Sequence, residues 1–295
     1  MHTDNVVEIK NIEKIINRAT EQSPHTKVIL KSFEPIIIAQ KKLAKETFFE
    51  NIDFSLIDKE KLKKGIPVSK QMRLLTGGTS FANIVIALAP SISHGMPSLA
   101  KEMDIFCDLI SNKKINLDDW INAYPGNIDT IINSWREEHN IQSKPISFLM
   151  SQVLRVAFER RATEIVAHFG EFEWNKGYCP ICGAFPSLAL IEEDGGKRFL
   201  HCSSCGFDWR FTRIICPCCE NEAPEGMDYF YVENKTQEAA FICDKCKKYL
   251  VTLYRAGKLF ARDMDISAIS LIHLDMIMQD KGYTPMATCP WNVFS

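Results

Sequence analysis

The sequence predicts an α+β protein: an N-terminal all-α helical domain, two tandem four-cysteine β-hairpin modules, and a C-terminal helix. Three observations predict it. Nine of the eleven cysteines fall between residues 179 and 246. Before that region apolar residues recur at helical spacing; inside it they form short runs broken by turn residues. After it, "ISAISLIHLDMIMQDKGY" returns to the helical period. The expected divisions are 1–172 for the helical domain, 173–262 for the modules (about 176–212 and 213–256), and 263–295 for the last helix and tail.

In the first part, Val6, Ile9, Ile12 and Ile16 mark one helix face, and Leu30, Phe33, Ile37 and Ile38 another around Pro35. "LLTGGTS" (74–80) predicts a turn with Thr79 or Ser80 capping the next helix. Asp118 and Asp119 suit a helix start, where carboxylates complement the dipole. The clearest helix runs from Pro145 to Gly170, with proline at its start, glycine at its end and a wide apolar face between. "KKGIP", "SHGMP" and "YPGN" punctuate the rest, so a bundle of six to eight helices is expected. In the second part, "SLALIEE" and "KRFLHC" flank "DGG", and "MDYFYVE" and "EAAFIC" flank "NKTQ". Both are hairpin signals.

The cysteines form four Cys-x-x-Cys pairs: Cys179/Cys182, Cys202/Cys205, Cys216/Cys219 and Cys243/Cys246. Nineteen residues separate the first pair from the second, and twenty-three the third from the fourth. Each interval holds one expected hairpin. Two residues between cysteines let a tight turn aim both sulfurs at one ion, and the hairpin returns a second pair to complete a tetrahedron. Two metal ions per chain are therefore expected, held in zinc-ribbon or rubredoxin-like fashion. Nested pairing would also make two sites, but the near-equal spacers favour pairing in sequence order. "CPCC" lacks the ligand run of a ferredoxin cluster, and no βαβ pattern surrounds the pairs as a thioredoxin-like site requires. Four thiolates suit zinc or iron and leave no open position, so such a site is structural or electron-transferring. Metal binding is expected to supply much of the folding energy of so small a region.

The repeats differ in detail. Gly183 and Gly206 follow the first two pairs, whereas Glu220 and Lys247 follow the others, so the latter turns are expected to be strained or differently shaped. Cys218 is a spare thiol, either an alternative ligand or redox group or an incidental one. His201 is expected on ordinary hairpin surface, since each site already has four ligands. Trp209 and Arg213 suit a protein contact or a packing role.

The composition excludes several classes. Net charge is −2, and residues 171–260 hold 11 Lys+Arg against 13 Asp+Glu, which disfavours nucleic acid. A zinc-ribbon nucleic-acid-binding or regulatory protein is the alternative reading. No apolar run is long enough for membrane insertion. The N-terminus carries no export signal, so a cytoplasmic protein with reduced thiols is expected. No His-Glu-x-x-His, Gly-x-Ser-x-Gly or P-loop is present, and no catalytic role is assigned.

"YCPICGAFPSLALI", "KRFLHCSSCGFDWRFTRIICPCC", "CDKCKKYLVTLY" and "DMDISAISLIHLDMIMQDKGY" together closely resemble the formate dehydrogenase accessory protein FdhE family, over residues 176 to 283. The resemblance implies a non-enzymatic, chaperone-like maturation factor of the cytoplasm. Its implied partner is the catalytic subunit of a respiratory formate dehydrogenase, and the resemblance favours iron over zinc, which the ligand set alone also permits. The family's four pairs map onto the eight cysteines above; Cys218 is a departure from that pattern.

Overall fold

The structure is a computed structural model that describes residues 9–76, 81–170, 173–193, 195–233, 235–256 and 263–293. The expectations at Val6, at the Thr79/Ser80 cap, and at Asp194 and Asn234 in the two hairpin turns lie outside these residues. The chain divides into two compact units. One comprises Met1–Leu30, Phe54–Met72 and Ala162–Ser295; the other comprises Lys31–Asp53 and Arg73–Arg161.

Nine α-helices precede the first strand among the described residues: α1 (Ile9–Gln22), α2 (Lys27–Glu46), α3 (Lys59–Lys63), α4 (Val68–Gln71), α5 (Phe81–Gly95), α6 (Ala100–Ser111), α7 (Leu117–Ala123), α8 (Ile128–His139) and α9 (Ser143–Phe169). The last is the helix expected from Pro145 to Gly170. Asn116, not Asp118 or Asp119, caps α7, and the two carboxylates occupy its first turn. Pro35 and Pro90 sit inside α2 and α5 without ending them.

The all-helical unit is built from α5 to α8 with the larger parts of α2 and α9. Ile36, Ile84, Leu88, Phe106, Trp120, Leu149 and Val153 fill its core. Each fully buried side chain of this size contributes about 1.5–3 kcal/mol. A Cβ on Gly95 would lie 2.0 Å from the Ser32 carbonyl oxygen, so α5 crosses α2 at a distance only glycine permits. Arg161 is buried there, donating through Nε to the Leu74 carbonyl at 2.8 Å and through Nη2 to Thr76 Oγ1 at 3.2 Å.

The other unit carries the sheet: β1 (Pro186–Glu192), β2 (Arg198–Cys202), β3 (Asp208–Phe211), β4 (Met227–Val232), β5 (Lys235–Cys243) and β6 (Lys248–Ala256). Two helices follow, α10 (Met264–Ser270) and α11 (Ile272–Asp280), and then the short β7 (Thr284–Pro285). The expected hairpins are β1/β2 and β4/β5, both antiparallel. Each gains a strand that the sequence reading missed. β3 extends the first module and β6 the second.

The order is β3-β2-β1-β6-β5-β4, with β7 beside β6. The modules are joined because β1 and β6 run parallel, pairing Ala189 with Thr252 and Leu190 with Leu253. One continuous sheet therefore replaces two separate ribbons. It also has a core of its own. Leu188, Ala240, Val251 and Leu253 of the sheet pack against Met264, Ala268, Leu271, Leu274 and Met278 of the two C-terminal helices. The single last helix expected from sequence is two, interrupted at Leu271.

Candidate metal centres

The local turn at each pair sets the sulfur positions. At the first, Gly183 N–H donates to the Cys179 carbonyl at 3.0 Å, and Cys179 N–H to the Ala184 carbonyl at 2.9 Å. The second repeats this from Gly206 to Cys202 at 3.2 Å and from Cys202 to Phe207 at 3.0 Å. The third repeats it again, from Glu220 to Cys216 at 3.0 Å and from Cys216 to Asn221 at 2.9 Å. The residue four after each leading cysteine is left-handed: φ is 79° at Gly183, 70° at Gly206, 54° at Glu220 and 55° at Lys247. Of the two expectations for the later turns, a different shape is corrected and strain is borne out. All four have one left-handed turn residue, and at Glu220 and Lys247 that conformation is held by a residue with a Cβ.

The turns converge in sequence order. Cys179, Cys182, Cys202 and Cys205 form one group, and Cys216, Cys219, Cys243 and Cys246 the other; within each, all Sγ atoms lie within 4.8 Å of one another. In the first group Cys179 Sγ is 3.5 Å from Cys205 Sγ, and Cys182 Sγ is 3.3 Å from Cys202 Sγ. In the second the corresponding separations are 3.8 Å (Cys216 to Cys246) and 3.7 Å (Cys219 to Cys243). A tetrahedron with metal–sulfur bonds of about 2.3 Å has edges of about 3.8 Å. Both groups therefore fit a single tetrahedrally bound ion, and two such ions could be held per chain. Backbone N–H groups already point at the sulfurs: Ile181 N to Cys179 Sγ, and Ser204 N and Cys205 N to Cys202 Sγ, each at 3.4 Å.

Burial pushes the Cys179 and Cys205 thiols well above their ordinary range. Burial alone would also raise Cys202, but hydrogen bonds from the Cys179, Cys182 and Cys205 thiols hold it well below that range. Burial likewise pushes Cys216 up to about 12. Four close sulfurs cannot all ionise unless a cation takes the place of their protons. The first group is the more enclosed, with Cys182 alone half-buried; in the second, Cys219 and Cys246 both are.

Residues that the sequence reading did not single out hold the first group. Short helix α4 lies over its leading turn. Val68 N–H donates to the Pro180 carbonyl at 2.9 Å and Ser69 N–H to that of Ile181 at 2.8 Å. Ser69 Oγ donates to the Cys182 carbonyl at 2.9 Å, and Tyr178 Oη to that of Gly65 at 2.7 Å. No motif announces these contacts, because they join segments more than a hundred residues apart in sequence.

His201 is also corrected, because it is buried rather than on the hairpin surface. Its Nδ1 lies 2.7 Å from Asp208 Oδ1 and its Nε2 3.1 Å from Asp265 Oδ1. Burial alone would lower its pKa, but the two carboxylates outweigh it and raise the imidazole to about 10. The ring is thus an imidazolium clamped between β3 and α10, beside the first group.

Around the second group, Gly177 passes so close to the third turn that a Cβ on it would lie 1.9 Å from the Pro217 carbonyl oxygen. Lys176 Nζ pairs with Glu220 at 2.8 Å. Asp244 accepts from Lys247 Nζ at 2.6 Å and from Tyr283 Oη at 2.7 Å. Cys218 lies outside the four-sulfur group, half-buried, and burial pushes its thiol up rather than down. A reactive thiolate would need the opposite shift.

Of the two roles expected for Trp209, packing is the one its surroundings fit: the indole is 4% exposed, and its Nε1 donates to the Lys176 carbonyl at 3.0 Å. Arg213 is exposed; it lies over the Tyr229 and Tyr254 rings and donates to Tyr254 Oη at 2.9 Å.

Comparison with known proteins bears out the resemblance to FdhE. Residues 178–213 match the family model described as FdhE, central domain, a span that contains the whole first group. A protein FdhE homolog of Aquifex aeolicus (strain VF5) is 31% identical over 157 residues, covering 50% of this chain and 52% of that protein. Protein FdhE of Escherichia coli (strain K12 / DH10B) is 33% identical over 134 residues, covering 42% of this chain and 40% of that one. The chain thus spans about half the length, or less, of the curated relatives it matches. The crystal structure of the FdhE protein from Pseudomonas aeruginosa superposes with a TM-score of 0.63 over 98% of this chain and 96% of that one, at 16% identity, which shows a shared fold. No helix among the described residues is long and apolar enough to cross a membrane.

Proposed function

We propose that this chain is a cytoplasmic accessory factor for formate dehydrogenase, needed to form the active respiratory enzyme and without catalytic activity of its own. The observation that carries this reading is a coincidence: the stretch that matches the FdhE central domain is the stretch whose four cysteines converge to a metal-sized site. In this reading each group of four cysteines holds one ion. Iron is favoured by the resemblance, and the thiolate set admits zinc equally. A closed set of four thiolates gives the ion no position for substrate, so its part is to fix the turns and, if iron, to carry an electron.

The client in this reading is the immature catalytic subunit. Support for where it docks comes from Arg213 with Tyr229, Tyr231 and Tyr254, beside Ile214, which is 71% exposed. Tyrosine and arginine are the residue types that dominate the energetics of protein interfaces. The metal-bound turns would hold that cluster in place.

The test uses a host that lacks its own FdhE-type protein. Supplying this chain is expected to restore formate dehydrogenase activity, and the chain is expected to co-purify with the catalytic subunit. The double variant Arg213→Ala/Tyr231→Ala is expected to weaken that complex by about tenfold or more while metal content stays unchanged. A host that stays inactive, with no complex formed, would overturn the reading.

A further inference from the structure

Arg198 begins β2 and is 1% exposed. Its guanidinium carbon lies 4.8 Å from the Phe241 ring centroid and 5.7 Å from that of Phe211. Nη1 donates to the carbonyls of Arg213 and Ile215, each at 3.3 Å. Nε and Nη2 are buried without a hydrogen-bond partner. The titratable groups that act on it are Tyr229, Cys216 and Arg213, and no carboxylate among the described residues pairs with it. An arginine in this position carries a full positive charge in a dry environment with two carbonyls and two aromatic faces for company. Neutral partners of that kind do not offset the desolvation of an ion, which needs a counter-charge.

The second cysteine group supplies one. The Ile215 carbonyl held by Nη1 belongs to the peptide unit whose N–H is that of Cys216, and this N–H in turn donates to the Asn221 carbonyl at 2.9 Å. Arg198 thus grips the backbone at the point where the chain enters the third turn. Four thiolates around a divalent ion carry a net charge of about −2. Cys216 is fully buried, so it faces the protein rather than solvent. The Lys176 and Lys247 amines near this group already pair with Glu220 and Asp244.

We infer that Arg198 is the buried counter-charge and positioning residue of the second metal centre, acting on it from the hairpin that carries Cys202 of the first. The inference rests on the reading that this group holds an ion. It has a consequence that a purely structural arginine lacks. When the centre is loaded, the guanidinium is neutralised and stabilises it. When the centre is empty, the same charge is buried without compensation and opposes folding. Replacing Arg198 should therefore act with opposite signs on the loaded and the metal-free chain. If the ion is iron, one electron from dithionite takes the ferric centre from about −1 to about −2, and a nearby cation favours the more negative form. Loss of the cation should lower the potential of that centre alone.

The experiment is chelator competition on the full chain loaded with zinc, with the Cys243→Ser/Cys246→Ser variant used to identify the step that belongs to the second centre. Arg198→Met is expected to weaken that step by about tenfold to a hundredfold and to leave the other unchanged. It should also raise the melting temperature of the metal-free chain. Arg198→Lys, which keeps the charge, should recover most of the affinity. Arg198→Gln, which keeps a donor for the carbonyls but no charge, should behave like Arg198→Met; in iron-loaded protein it should lower the potential of one of the two centres. Equal weakening of both steps, an unchanged second step, or destabilisation of loaded and metal-free chain alike would overturn the inference. A wild-type chain that takes up fewer than two ions would instead overturn the metal reading on which it rests, and would do so before any variant is made.

Discussion

Glu220 and Lys247 occupy the position that Gly183 and Gly206 occupy in the first module, with φ near 55° in both. A left-handed residue with a Cβ costs about 1–2 kcal/mol, part of which glycine gives back through its freer unfolded chain. Lys247→Gly is accordingly expected to stabilise the loaded protein by about 0.5–1 kcal/mol in urea unfolding. The exposed pair with Asp244 that it sacrifices is worth little. His201 gives the opposite expectation. His201→Ala leaves the Asp208 and Asp265 carboxylates without the imidazolium between them, and should cost about 3 kcal/mol by the same measurement. The two groups of four cysteines were legible in the sequence because their information is local: two-residue spacers, hairpin-length intervals and turn residues. The roles of His201, Trp209 and Arg198 were not. Each depends on partners from other elements, with Asp265 lying 64 residues beyond His201. Burial of that kind leaves no periodic trace at the residue itself.

At the level of elements, the hairpins were legible from their turns, whereas β6 was not. Tyr249, Leu250, Val251, Thr252 and Leu253 are all buried, because β6 lies between β1 and β5 and is covered on both faces. A strand of that kind shows a continuous apolar run instead of alternation. β3 is four residues long, too short for any pattern to declare itself.

The join between β6 and α11 makes a further expectation. Tyr249 Oη donates to Asp275 Oδ1 at 2.7 Å, and Gln279 Nε2 donates to Tyr249 Oη at 3.0 Å. Burial raises the Asp275 carboxyl from its ordinary 3.8 to about 6, against the opposing hydrogen bond from Tyr249. The folded state then holds this proton more tightly than the unfolded state does. Its contribution is fully present below about pH 4 and is lost as pH rises through about 6, a change of about 3 kcal/mol. Asp275→Asn should flatten that slope, so the difference in unfolding free energy between variant and wild type should grow from pH 5 to pH 8. A constant difference would show that the carboxyl titrates alike in both states.

For the molecule as a whole, the parallel pairing of β1 with β6 means that neither cysteine module closes its sheet alone. The Cys243→Ser/Cys246→Ser variant is therefore expected to increase amide exchange not only in β5 and β6 but also in β1, across the join. Exchange confined to the second module would show the modules to be independent. A helical region ahead of a cysteine-rich sheet was legible from the change of period and from cysteine density. The assembly of the sheet-bearing unit from Met1–Leu30, Phe54–Met72 and Ala162–Ser295 was not, since apolar spacing tells which face of a helix is covered but not by what.

That discontinuous assembly has a consequence in time. Ile12 and Ile16 of α1 are fully buried, and α1 packs on α10. During synthesis, at about 5–20 residues per second, roughly 10–50 seconds pass between the emergence of α1 and that of α10 from the ribosome. Through that interval the first helix lacks the surface that α10 supplies, and the part of its apolar face that α10 covers stands open to whatever holding chaperone patrols the nascent chain.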